Sequence, residues 1–272
     1  MSFAPIRFDQ AKIERFEELI NEIIDQSDII LVILDGRMPE ISRNKRIEEI
    51  LREKGRKFTF VLNKIDIASS KELRAARKRL MKIAPSIGVS SKTGKYIDNL
   101  RRRIFSEFDK IKVTKRRCRR KVGLLGYPNV GKSSIINRLV KRGAAKVASE
   151  AGYTKGIHWI KGRQMELVDG PGYIESSEKS NQLKIGFLGT KNPEKLKDPE
   201  TVAFNIIKDL LEKHPKSIED IYKIKIDTKD PSEIISMIGK KRGHLKKGGK
   251  IEEKKTSLII IKDWQSGKLK VF

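Results

Sequence analysis

The stretch "KVGLLGYPNVGKSS", residues 121–134, leaves few folds open to this chain. A short apolar run leads into Gly126-Tyr127-Pro128-Asn129-Val130-Gly131-Lys132-Ser133, which satisfies G-x-x-x-x-G-K-[ST], and an amphipathic segment follows. In a strand, loop and helix order, the glycines let the backbone wrap a phosphate while exposed N–H groups and the helix N-terminus supply positive potential. Lys132 is the residue type that reaches β- and γ-phosphates, and Ser133 offers a hydroxyl to magnesium. Asn129, Val130, Gly131 and Ser134 complete the expected nucleotide contacts of the loop.

Around this loop, apolar runs alternate with charged amphipathic stretches, which predicts an α/β domain with a mainly parallel sheet flanked by helices. Strands are expected at 28–35, 57–63, 87–90, 121–126, 158–161 and 164–169, and helices at 10–24, 42–54, 71–83, 97–111 and 132–141. Leu100, Ile104 and Phe108 fall at helical spacing and should face the sheet. The polar "NPEKLKDPE" at 192–200 reads as a linker, dividing the chain into a P-loop domain over 1–191 and a smaller, all-helical domain over 192–272. In the latter, Ser217 with Asp220 resembles a capping box, and Asp230-Pro231 reads as an N-cap followed by proline at the first helical position. "LIII" at 258–261 is expected to be helical, given the Asp263, Trp264 and Gly267 that follow.

The remaining chemistry-bearing motifs define the nucleotide. "ELVDGPG" puts Asp169 at a strand end, where a carboxylate can hold magnesium through water, and Gly172 where its N–H can touch a γ-phosphate. Thr154, in the loop between these motifs, is the candidate to complete the magnesium shell; Lys132, Thr154 and Gly172 are the catalytic candidates. "NKID" reads the base: the Asp66 carboxylate accepts from guanine N1–H and the 2-amino group, Asn63 bridges to the phosphate loop or the base, and the Lys64 stem covers the ring. Adenine presents no such donor pair, which disfavours an ATP-dependent kinase or pump. In "GVSSKTG", Ser90 is expected to orient the turn, the Ser91 N–H to lie near guanine O6 and Lys92 over the ring. The base-reading motif precedes the phosphate loop, so the order is rotated, with the segment 97–121 as the joint. A doubly wound sheet tolerates this, because strands can keep their places while the chain begins elsewhere.

Composition points to partners. The chain has 61 Lys and Arg against 35 Asp and Glu, a formal charge of +26 in 272 residues. "KRRCRRK" and "KKRGHLKKGGK" contain no acid, so phosphate contact is the reading, and the few aromatic residues near them favour folded RNA over stacked single strands. Apolar runs such as "IILVIL" fall short of the roughly 20 residues that span a bilayer, and the charged N-terminus is unlike a signal peptide. The single cysteine, Cys118, fits a reducing compartment; the cytoplasm is expected, with no membrane partner.

In this order, "NKID", "GVSSKTG", "GYPNVGKSS", "GYTKG" and "DGPG" resemble the circularly permuted GTPases of the YlqF type, a ribosome-assembly family. "DGRMP" at 35–39 is close to the family's Asp-Ala-Arg-x-Pro, and "IGKKRGHLKKGGKIE" and "DWQSGKL" are similar to its C-terminal helical domain, so the likeness covers nearly the whole chain. The resemblance implies GTP and GDP as ligands, magnesium (Mg2+) as cofactor, and ribosomal RNA within a precursor of the large ribosomal subunit as partner. Hydrolysis is expected to be slow unless the particle activates it. Asn129 is the residue type that related GTPases place against potassium (K+); a loop-shaping amide is the other reading. Two positions depart from the family: the N-terminal "FAPIRFDQAK" lacks the family's histidine, and Tyr173 stands where many GTPases carry a water-orienting glutamine. His158 reads as a packed strand residue. These departures keep open a second function, an RNA-binding assembly platform in which GTP is a structural ligand.

Overall fold

The computed structural model describes residues 7–111, 120–140, 157, 159–162, 164–172 and 182–271, with residues 7–13 described by backbone alone. Cys118, Thr154, His158 and Tyr173 lie outside the described residues. Contacts between Cα atoms divide the chain into a first unit, Met1–Asp66 with Lys71–Ser176, and a second, Ser177–Phe272 with Ile67–Ser70.

The first unit is built on a six-stranded sheet. In chain order its elements are α1 (Arg7–Gln26), β1 (Ile29–Asp35), α2 (Lys45–Glu53), β2 (Phe58–Asn63), α3 (Ser70–Leu80), β3 (Ser86–Gly88), α4 (Ile97–Lys110), β4 (Arg120–Leu125), α5 (Lys132–Val140), β5 (Trp159–Lys161) and β6 (Met165–Asp169). The spatial order is β3-β2-β1-β4-β6-β5, parallel throughout except for β5 against β6. Every residue of β1 is buried, the signature of a central parallel strand covered on both faces. Ile30, Val32 and Leu34 of β1 join Phe60 and Leu62 of β2 in a core with Ile20, Ile23 and Ile24 of α1, Ile47 and Leu51 of α2 and Leu80 of α3. Leu100, Ile104 and Phe108 of α4 are buried as their spacing predicts. At about 1.5–3 kcal/mol for each fully buried aliphatic side chain, this core positions the strand ends firmly.

From β1 the sheet runs one way through β2 and β3, and from β4 the other way through β6 and β5. The β1/β4 junction is therefore a topological switch point, where ligands of open parallel sheets bind beyond the carboxyl ends of the strands. In register, Asp35 lies beside Asn63 and Leu124 beside Asp169, so the ends of β2, β1, β4 and β6 share that edge.

The second unit contains α6 (Gln182–Leu188), α7 (Pro199–Lys213), α8 (Pro215–Tyr222), α9 (Pro231–Lys241) and α10 (Glu253–Gln265), with one isolated bridge between Leu245 and Ile251. It is helical as expected, and "LIII" lies within α10. Asp230 caps α9 by accepting the Ser232 N–H at 2.9 Å. The capping box expected at Ser217 is not formed: Pro215 already occupies the first turn of α8, and the Ser217 hydroxyl accepts the Lys270 N–H instead. α6 lies ahead of the expected boundary at residue 192 but packs within the second unit. The indole of Trp264 donates to the Phe187 carbonyl at 3.0 Å and meets the Phe187 ring edge-on, and Gln265 donates to the Gly186 carbonyl. Burial of α6 against α7 and α10 outweighs the polar composition of 192–200, where a short 3-10 turn, Pro193–Lys195, intervenes. Among the described residues, no helix is long and apolar enough to cross a membrane.

Candidate nucleotide-binding site

The loop between β4 and α5 follows the sequence pattern. Gly131 has φ +98°, where a β-carbon would be strained, and that carbon would also collide with Asn63 Nδ2. Asn129, at φ 60°, takes the left-handed conformation that asparagine tolerates better than most residues. Lys132 opens α5 almost wholly buried, and its ammonium donates to the carbonyls of Gly126 at 3.2 Å and Tyr127 at 3.1 Å. Burial lowers its pKa, with Asp169 acting in the opposite direction. The Ser133 hydroxyl donates to Asp169 Oδ2 across the space between the loop and the end of β6, while Ser134 is exposed beside it. Gly172 sits directly against Pro128 of the loop.

Asn63, buried at the end of β2, ties three motifs together. Its Nδ2 donates to the Val130 carbonyl at 2.9 Å and its Oδ1 accepts the Ser91 N–H at 2.9 Å. Of the two roles open to Asn63 in the sequence, the structure shows the bridge to the phosphate loop. The Ser91 N–H, expected near guanine O6, here donates to Asn63 Oδ1. The cause is burial, since a buried amide oxygen requires a donor and this N–H is the one at hand. Ser90 orients its turn as expected, with its hydroxyl accepting the Thr93 N–H at 3.0 Å. Lys92 is exposed, with its carbonyl engaged by Arg138.

Asp66 and Lys64 complete the end of the site where the sequence expects the base to be read. Asp66 Oδ1 is buried and has no hydrogen-bond partner among the described residues. An unpaired buried carboxylate oxygen is costly, and a ligand carrying adjacent N–H donors removes that cost. Lys64, at φ 65°, donates from Nζ to Asp35 Oδ2 at 2.8 Å. Burial lowers the Lys64 pKa first, with Asp35 opposing.

Three residues contribute here without a role assigned from the sequence. Arg138 of α5 donates from Nε to the Ser91 carbonyl at 2.7 Å and from Nη2 to the Lys92 carbonyl, fastening the base loop to the phosphate-loop helix. Its partners are backbone atoms 47 and 46 residues away, so no local pattern announces it. Asp35 and Arg37 were noted only for their likeness to a family motif. Their place at a strand end beside "NKID" was the available signal.

The family model described as 50S ribosome-binding GTPase matches residues 121–240. Ribosome biogenesis GTPase A of Bacillus licheniformis is 31% identical over 259 residues, covering 92% of this chain and 90% of that protein. An uncharacterized GTP-binding protein of Methanocaldococcus jannaschii is 32% identical over 258 residues (94% of this chain, 66% of the relative), and nucleolar GTP-binding protein 2 of Saccharomyces cerevisiae is 31% identical over 269 (97% and 54%). The chain thus spans between about half and two thirds of the length of these last two relatives. Among solved structures, GNP-bound YlqF from T. maritima shares the fold, with a TM-score of 0.58 at 20% identity over 93% of this chain and 94% of that one.

Proposed function

Because the chain belongs to the YlqF-type family of circularly permuted GTPases, we propose that it binds and hydrolyses GTP as a switch in assembly of the large ribosomal subunit, acting through ribosomal RNA. Asp66 Oδ1, buried and without a hydrogen-bond partner among the described residues, carries the guanine half of this reading. The N1–H and 2-amino group of guanine are the donor pair it lacks. Ser133 and Asp169 fit a magnesium ion, because their oxygens face each other and this cation takes few protein ligands beside phosphates and waters. When bound, magnesium neutralises charge developing on the phosphates. Around it, Lys132 swings from its carbonyl partners to the β- and γ-phosphates, the Gly172 N–H meets the γ-phosphate, and Thr154 supplies the further hydroxyl. Asn129 is proposed as a potassium ligand beside the β/γ bridge. The cytoplasm is the proposed place of action, supported by the single cysteine.

Tyr173 replaces a polar water-orienting residue, so the free protein should turn over slowly and the particle should supply the positioning. Single-turnover hydrolysis in potassium and in sodium, with and without purified large subunits, tests this. Subunits should accelerate the reaction, and more so in potassium. Fast hydrolysis by the free protein, indifferent to subunits, would remove the particle-activated switch. Hydrolysis that stays absent under all four conditions while GTP still binds would favour the platform with structural GTP. Equal rates in the two salts would remove potassium from Asn129.

The RNA half rests on the end of α9 and the turn after it. Lys240, Lys241, Arg242, Lys246, Lys247 and Lys250 are all exposed, and no carboxylate among the described residues forms an ion pair with any of them. A solvated face of mixed sign would show such pairs. Affinity for large subunits should fall log-linearly with salt, at a slope of roughly −0.7 to −0.9 per phosphate contact. Replacing Lys240, Lys241 and Arg242 with alanine should flatten the slope without altering GDP binding. An unchanged slope would assign these residues to solvent.

A further inference from the structure

The segment Asp35-Gly36-Arg37 makes none of the nucleotide contacts proposed above, yet it is tightly built. Asp35 ends β1 in register with Asn63, and the side chains of Asp35 and Arg37 are each 2% exposed. Oδ1 accepts the Arg37 N–H at 3.0 Å and its Nε at 3.1 Å, while Oδ2 accepts Arg37 Nη2 at 2.9 Å and Lys64 Nζ at 2.8 Å. Burial alone would raise the Asp35 pKa, but Arg37 and then Lys64 hold the carboxyl well below the usual range. The turn is clamped from both sides. The Gly36 N–H donates to the Asn63 carbonyl at 2.6 Å, a β-carbon on Gly36 would stand 2.6 Å from that same oxygen, and the Ser42 hydroxyl accepts the Asp35 N–H at 3.0 Å.

A buried ion pair adds little stability by itself, because desolvating both charges offsets their attraction. Here Arg37 alone would neutralise Asp35, and the carboxylate nevertheless holds a second cation. That cation is the lysine of the base-reading motif. Its backbone is in the left-handed region, a strained choice for a residue other than glycine. A lysine stem with a free tip samples many rotamers, whereas one fixed at backbone and ammonium becomes a rigid apolar wall.

We propose that the buried Asp35–Arg37 pair is a positioning device for purine binding: it tethers the Lys64 ammonium so that the stem stands fixed against one face of the guanine ring. This rests on the guanine reading given above. The wall touches the face of the ring, not its edge, so it acts on any purine that keeps the N1–H and 6-oxo group. Asp66 supplies edge recognition separately.

The test is a double-mutant cycle of Asp35→Asn and Lys64→Met, read as GDP and inosine diphosphate affinity by fluorescence titration, with thermal melting in parallel. Methionine keeps an apolar stem and has no ammonium to tether. In the wild-type background Asp35→Asn should weaken both nucleotides by roughly tenfold and to the same degree; in Lys64→Met it should change neither by more than about twofold. A merely structural role for Asp35 would carry its affinity loss into both backgrounds, and that additivity would overturn the proposal, as would unchanged affinity in the wild-type background. If Asp35→Asn does not fold because buried Arg37 loses this carboxylate, Asp35→Asn/Arg37→Met removes both charges and enters the same cycle. Equal affinity of the unmodified protein for ADP and GDP would instead refute the guanine reading.

Discussion

Asp66→Asn should weaken GDP and GTP binding by roughly ten- to a hundredfold and raise the affinity for xanthosine nucleotides. The change removes a charge-assisted pair of hydrogen bonds to guanine, worth about 1.5–3 kcal/mol. The new amide donates where xanthine carries a 2-oxo group in place of the 2-amino group. The structure adds a second expectation with the opposite sign. Because Asp66 Oδ1 is buried without a partner among the described residues, replacing the carboxylate by a neutral amide should leave the melting temperature of the nucleotide-free protein unchanged or higher. Affinity and stability should therefore separate. Titration with fluorescent GDP and XDP, alongside a melt, measures both, and GDP affinity preserved in the variant would take Asp66 out of the site.

Asn63→Ala should weaken nucleotide binding and the fold together. The side chain holds Val130 of the phosphate loop and Ser91 of the base loop, each at 2.9 Å, and it is 1% exposed. Truncation leaves a buried carbonyl and a buried N–H unsatisfied, at about 1–3 kcal/mol each. GDP and ADP affinity should both fall, because the loss is of loop geometry and not of base recognition. The melting temperature should fall in the same variant. Asn63→Asp separates the two bonds, since its carboxylate can still accept the Ser91 N–H but meets the Val130 carbonyl with no donor. Its GDP affinity should lie at or below that of Asn63→Ala. A variant lacking Asn63 that kept wild-type GDP affinity and melting temperature would show that the bridge is idle.

Much of the site was legible because its chemistry is local. A phosphate loop needs glycines, a lysine and a hydroxyl within nine residues, and Gly126 to Ser134 spells them out. The strands were equally legible, since β1 and β2 are mainly apolar runs that begin one residue later than expected, whereas α2 begins three residues late, where Asn44 caps it. The capping box at Ser217 failed for a local reason: proline two residues earlier had already begun the helix. The division expected at residue 192 rested on composition, which registers polarity but not which apolar face a helix has to cover. α6 covers its own against α7 and α10.

What the sequence determined alone is the set of short motifs and their rotated order, because each is a local run whose residue types suit a phosphate, a magnesium ion or a guanine edge. What only the tertiary structure decided is which of those motifs are tied to one another. Parallel register set Asp35 beside Asn63 and so brought the Asp35 carboxylate to the Lys64 ammonium, 29 residues apart in the chain. α5 brought Arg138 to the carbonyls of the base loop. The same packing gave the Ser91 N–H to Asn63 and left Asp66 Oδ1 without a donor among the described residues. Hydrogen bonds between distant segments depend on how strands align and helices cross, and a buried polar atom finds its partner only after the core has chosen that alignment.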